Sequence, residues 1–271
     1  MDHATEPSAS AQRGPARLTA VVGACGGAGA SVLSAALARA LRRRVGAAAL
    51  VDLDVPGAGL DVLLGVEADP GARWPDLADA RGSLDAEGLV AALPRWRAVP
   101  LLSGTREQAP GGGPDDAVVL DVATALLRSG HRVVLDLPRP SGWGEATRSL
   151  VTAADAVVLV VPLTAPAVAG AMATLAVLDA LGTAPVHVVP RRPAPGRVDT
   201  AGVERALGRR AVATVSWDGR LAAAVERGDG PRTGRRTPLG AAAERLVDAL
   251  ARPARTSGAT VAAATTTGAV A

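Results

Sequence analysis

Three stretches hold the residues whose types and spacing could do chemistry. The first is Gly23-Ala24-Cys25-Gly26-Gly27-Ala28-Gly29-Ala30-Ser31, the second Asp52-Leu53-Asp54, and the third Asp136 directly after Val133-Val134-Leu135. Clustered glycines let successive backbone N–H groups converge on one anion, and a helix beginning behind them adds roughly half a positive charge. Gly26, Gly27, Ala28, Gly29, Ala30, Ser31 and Val32 are therefore the candidate phosphate-binding residues, with the Ser31 hydroxyl placed to ligate Mg²⁺. The pattern G-x-x-x-x-G-K-[ST] is met only in part. Reading Gly29 as its last glycine and Ser31 as its hydroxyl puts Ala24 in the first-glycine slot and Ala30 in the lysine slot. A charge-assisted hydrogen bond is worth about 1.5–3 kcal/mol, so its loss weakens triphosphate binding by roughly tenfold to a hundredfold or more. Hydrolysis loses further, because that lysine also stabilises charge developing on the γ-phosphate.

Each aspartate follows an apolar run, which puts a carboxylate at the carboxyl end of a strand. Asp136 is placed to hold Mg²⁺ directly or through water, while Asp52 and Asp54, two positions apart, can serve metal and attacking water separately. Any one of them alone reads as a cap on a following helix or turn. Three behind a glycine loop read as a site. A dinucleotide fingerprint needs glycines at its first, third and sixth positions, and counting from Gly27 and Gly29 the sixth is Val32. Cys25 lies near a helix start, a place that suits a reactive thiol, but a small residue filling a vacated position is the simpler account. His131 and His187 have no Cys or His partner at ligand spacing, so no metal other than Mg²⁺ is suggested.

These residues need elements to position them. RLTAVV, AAALVD, AVPLL, RVVLDLP, DAVVLVVP, APVHVV and AVATVS are strand candidates, and Ala/Leu/Arg stretches of helical period fill most gaps. That alternation predicts an α/β fold: a doubly wound, mainly parallel sheet with helices on both faces and ligands at the strands' carboxyl ends. With 271 residues and 48% hydrophobic composition, one domain over 17–251 is expected. The segments 1–16 and 252–271 lack large side chains and are expected to be disordered tails, and PGGGP at 110–114 a surface loop. No run approaches the roughly 18 apolar residues of a membrane span, and no signal core opens the chain, so a cytoplasmic protein is expected. A single cysteine fits a reducing compartment. All 29 basic residues are arginine, yet the net charge is only +3, so a DNA partner would rest on local clusters. Those clusters are Arg42–Arg44, Arg191–Arg192, Arg209–Arg210 and Arg235–Arg236. Solvated helix ends explain them equally well.

In matching order, GGAGAS, LVDLDVPGAGLD with LLG, LDLP and DAVVLVVP resemble the ParA/MinD class of P-loop ATPases. The late segments VDTAGVERALG and AVATVSWDGRLAAAVERGDGPR resemble that class's strand, loop and helix near the nucleotide base. Within it, GGAGAS, GARWPDLADARGSLDAEGLVAALP and GDGP are similar to the actinobacterial CpaE-like, or septum site-determining, proteins. The resemblance implies ATP or ADP with Mg²⁺ as cofactor, Ser31, Asp52 and Asp136 as Mg²⁺-associated residues, and Asp54 as the residue that positions hydrolytic water. It also implies protein partners in division or in pilus or secretion machinery, and a homodimer. A second lysine that the class carries early in the loop is Cys25 here. The expectation is therefore a degenerate ParA/MinD-like protein with weak nucleotide binding and weak or lost hydrolysis, acting as a spatial regulator or scaffold. Two alternatives stand beside it: an active ATPase in which an arginine such as Arg139 supplies the missing charge, and a nonspecific DNA binder. The C-terminal Ala, Thr and Gly tail with Pro253 predicts no direct membrane anchor.

Overall fold

The computed structural model describes residues 16–55, 59–80, 82, 84–105, 113–192 and 198–252. The expected tails lie outside the described residues except for Ala16 and Arg252, and so do 110–112 of the expected loop. Along the chain run β1 (Leu18–Gly23), α1 (Ala30–Val45), β2 (Ala48–Asp52), α2 (Leu60–Leu64), α3 (Ala86–Ala92), β3 (Arg95–Trp96), β4 (Val99–Leu102) and α4 (Asp116–Arg128). They are followed by β5 (Arg132–Asp136), α5 (Glu145–Ala153), β6 (Ala156–Pro162), α6 (Ala165–Ala180), β7 (Val186–Arg191), α7 (Thr200–Leu207), α8 (Leu221–Glu226) and α9 (Pro238–Leu250). The sheet order is β3-β4-β2-β5-β1-β6-β7, with every pairing parallel except the β3–β4 hairpin.

The strands are apolar on both faces because helices cover both. Val21, Leu50, Val134, Val158 and Val189 pack with Leu33, Leu37 and Leu41 of α1 and Leu246 of α9. Their neighbours Val22, Val51, Leu135, Leu159 and Val188 face the other way, into a second cluster with Val122 and Leu126 of α4, Leu150 of α5 and Leu178 of α6. Period-two alternation thus sorts two cores rather than core from solvent. Helix α1 ends where Gly46 turns left-handed at φ 88°, and Arg42, Arg43 and Arg44 occupy its last turn against the dipole.

Two strand assignments differ from the sequence reading. AVATVS makes only isolated bridges, Val188 with Ala211 and Arg191 with Val215, so three steps along β7 face four along its neighbour. The extra residue makes a bulge, and Pro190 of β7 has no N–H to extend the ladder. The two-residue β3 has too little sequence for periodicity to show. It exists because Arg97 and Ala98, at φ 47° and 69°, form a left-handed two-residue turn without glycine.

Helix α6 touches the glycine loop through Gly170, where an added Cβ would stand well inside van der Waals contact of the Ala24 carbonyl. Replacing glycine by alanine inside a helix gains about 0.5–1 kcal/mol, whereas overpacking costs about 1–3 kcal/mol. Gly170→Ala is expected to lower stability by about 1–2 kcal/mol net in urea denaturation, and an unchanged or raised midpoint would show that α6 does not press on the loop.

Candidate functional site

The glycine loop leaves β1 at the centre of the sheet, flanked by β5 and β6. Its first turn is pinned where Ala24 N–H donates to the Val160 carbonyl at 2.9 Å and Ala28 N–H to the Cys25 carbonyl at 3.3 Å. Gly27 and Gly29 take left-handed φ of 68° and 87°, which only glycine enters without strain. The N–H groups of Gly26, Gly27 and Gly29, and those of Ala30, Ser31 and Val32 in the first turn of α1, have no acceptor among the described residues. Unpaired donors converging at a helix start form an anion cradle. They line a cleft of about 570 Å³ whose other walls include Asp54, Pro138, Arg139 and Arg191.

A smaller chamber of about 130 Å³, lined by Ser31, Asp52, Asp54, Gly59, Leu60, Leu63 and Asp136, adjoins Ser31. Asp52 and Asp136 are register partners on adjacent strands, each 2% exposed. Their surroundings separate them. Asp52 Oδ1 accepts from Asp54 N–H at 3.0 Å, and its Oδ2 accepts from Leu60 N–H at 3.0 Å and Ser103 Oγ–H at 2.7 Å. Three donors and no acceptor suit an ionised carboxylate, so Asp52 takes the charge although burial, and to a lesser degree Asp54, pushes its pKa up. Asp136 is pushed up to about 7, first by burial and then by the Asp52 charge, with the Ser31 and Ser34 hydroxyls opposing. Ser34 Oγ lies 2.8 Å from Asp136 Oδ1 and 3.0 Å from the Ala30 carbonyl. One hydroxyl proton cannot serve both acceptors. The Ser34 hydroxyl donates to one or the other, Asp136 Oδ1 or the Ala30 carbonyl.

The structure therefore brings together every residue that the sequence singled out: the cradle 26–32, Ser31, Asp52, Asp54 and Asp136. Asp52 spends most of its capacity on the chain itself, fixing the start of α2 through Leu60, while the buried Trp74 donates from Nε1 to the Asp52 carbonyl at 2.8 Å. Among the described residues no three His, Cys, Asp or Glu side chains form a metal-holding group. Mg²⁺ takes oxygen donors, keeping several waters beside one or two carboxylates, and the Ser31 hydroxyl and the carboxyl groups lining the smaller chamber are donors of that kind. Ser34 and Ser103 escaped the sequence reading, and Arg191 entered it only as part of a basic cluster. Ser103 and Arg191 each stand at or just past the end of an apolar strand, the same signal that exposed the aspartates.

The arginine clusters are mostly spent on the fold. Arg43 pairs with Glu244 at 2.7 Å, Arg44 with Asp248, Arg209 with Asp179 at 2.8 Å, Arg210 with Glu204 at 3.6 Å, and Arg235 with Glu244 at 3.3 Å. His131 meets Ser129 Oγ through Nδ1 at 2.8 Å, and burial lowers the pKa of both His131 and His187. Among the described residues no helix is long and apolar enough to cross a membrane.

No family model matches the chain. An uncharacterized protein of Mycobacterium tuberculosis, found in two strains, is 42% identical over 236 residues, which is 87% of this chain and 64% of that protein. The chain thus spans 64% of the length of the curated relatives it matches. A ParA family ATPase from Chlorobium tepidum superposes with a TM-score of 0.71 at 15% identity, over 89% of this chain and 99% of that one. The septum site-determining protein MinD complexed with Mg-ADP, from Pyrococcus horikoshii, superposes with a TM-score of 0.64 at 18% identity, over 86% and 95%. The fold is that of the MinD and ParA ATPases, as the sequence predicted.

A carboxyl with a folded pKa above its unfolded value binds more protons in the folded state, so stability falls as pH rises between 3.8 and about 7. In Mg²⁺-free buffer, Asp136→Asn removes that cost. Its melting temperature relative to the unsubstituted protein is expected to rise from pH 5 to about pH 7 and then level off, and a difference independent of pH would place the proton elsewhere.

Proposed function

We propose that this chain is a ParA/MinD-type nucleotide-binding protein of the CpaE-like, septum site-determining kind with a weakened phosphate loop. It acts in the cytoplasm as a spatial regulator or scaffold, in septum placement or in positioning a pilus or secretion apparatus, through protein partners and as a homodimer. The observation that carries this reading is the pairing of an intact cradle, with its left-handed Gly27 and Gly29, with a methyl group at Ala30 where the lysine would stand. Residues 26–32 take the phosphates of ATP or ADP. Ser31 and Asp136 hold Mg²⁺, with Asp52 behind them keeping the chamber's shape, and Asp54 at the mouth of both cavities orients water. Mg²⁺ there would neutralise phosphate charge and polarise a phosphoryl oxygen.

An active ATPase is the second reading, favoured by the exposed Arg139 in the cleft wall. Steady-state phosphate release separates the two. The protein is expected to turn over Mg·ATP no faster than its Asp54→Ala variant, and robust turnover that the substitution abolishes would establish the ATPase instead.

Cycling regulators switch state on nucleotide, and a near-complete population reversal takes about 5.5 kcal/mol of differential affinity. A loop without either lysine is poorly equipped to supply it. Overproduction in the native host should therefore disturb septum spacing or apparatus assembly in proportion to dose, with Ser31→Ala and Asp54→Ala retaining most of the effect at matched abundance. Normal cells at full abundance of either folded variant would mean that nucleotide chemistry drives the role.

A further inference from the structure

We infer that Arg191 supplies to bound phosphate the positive charge that Ala30 cannot; this rests on the nucleotide-binding reading above. Arg191 is the last residue of β7, reached from the opposite side of the cleft to α1. Its backbone is held on both flanks. The Arg191 carbonyl accepts from Leu163 N–H at 2.9 Å, and the next residue, Arg192, donates its N–H to the Val215 carbonyl at 2.9 Å. From that anchored base the side chain lies along Gly29, where an added Cβ would stand 3.1 Å from both its Cδ and Nε. Glycine at 29 is thus required twice, by its left-handed φ and by the arginine lying over it.

The guanidinium is half spent. Nη1 donates to the carbonyls of Gly27 and Ala28 at 3.3 and 3.4 Å, both long bonds, while Nε and Nη2 have no partner among the described residues. No carboxylate pairs with it there either, unlike Arg43, Arg44, Arg209, Arg210 and Arg235. An arginine without a counter-ion, lying on a loop whose N–H groups also lack acceptors, is a cation and a donor set sharing one wall of one cleft. A phosphate oxygen is the acceptor that satisfies both, and the planar fork can take two of its oxygens at once. Arg139 lines the same cleft, but it is exposed and no contact fixes its guanidinium to the loop among the described residues. Placing an ordered cation costs less side-chain entropy on binding than recruiting a free one.

The test is Mg·ATP and Mg·ADP binding by calorimetry to the full chain and to five variants, with thermal unfolding confirming that each folds. Arg191→Ala is expected to weaken Mg·ATP at least about tenfold, and to reduce the loss of affinity on adding salt. Arg191→Gln keeps amide donors for the Gly27 and Ala28 carbonyls but removes the charge; it should lose as much as the alanine variant, which a merely structural staple would not. Arg139→Ala should stay within about twofold, and Ala30→Lys introduced into Arg191→Ala should restore binding. Arg191→Gln binding as tightly as the unsubstituted protein, or a loss confined to Arg139→Ala, overturns the assignment. So does an unsubstituted protein that binds nothing while Ala30→Lys alone binds, because Arg191 would then not substitute for lysine. Absence of binding in both removes the nucleotide reading itself.

Discussion

Two carboxyls buried side by side set the terms for everything around them. Asp52 and Asp136 sit opposite each other on neighbouring parallel strands, and two charges cannot share so dry a space without large cost. The chain divides the labour. Three donors, Asp54 N–H, Leu60 N–H and Ser103 Oγ–H, are given to Asp52, while Asp136 has the Ser31 and Ser34 hydroxyls and a pKa pushed up to about 7 by burial. Because one of those donors is Leu60 N–H, the ionised state of Asp52 also decides where α2 begins. The shape of the chamber is therefore an electrostatic result as much as a packing one.

The same economy governs the glycine loop. In the proposed phosphate loop the small Ala30 brings no charge, so the positive field comes from the dipoles of α1 and the loop together with Arg191 in the cleft wall. What survives is geometry that only glycine can hold, at residues 27 and 29. On the proposed reading, that geometry without the lysine would separate two roles, shaping a phosphate site and charging it.

Much of this was readable from residues alone, for identifiable reasons. Apolar strands covered on both faces announce themselves without alternation, and carboxylates directly after them mark the carboxyl ends of β2 and β5, so β1, β2, β5 and β6 were plain. Residues 211–215 escaped because a bulge and Pro190 break pairing that composition suggests. β3 escaped because two residues have no period. Ser103 and Arg191 obey the rule that found the aspartates, yet serine and arginine are so common at strand ends that the rule gains force only once Asp52 and the loop are seen to need partners.

The bulged segment beside β7 and the two-residue β3 beside β4 stand at the two margins of the sheet. An open sheet with long bare margins recruits further strands, from copies of itself or from unfolded neighbours. Here one margin ends in a stub that turns back through a tight hairpin, and the other in a ladder interrupted by proline. Among the described residues both margins are thus blunted against growth by strand addition.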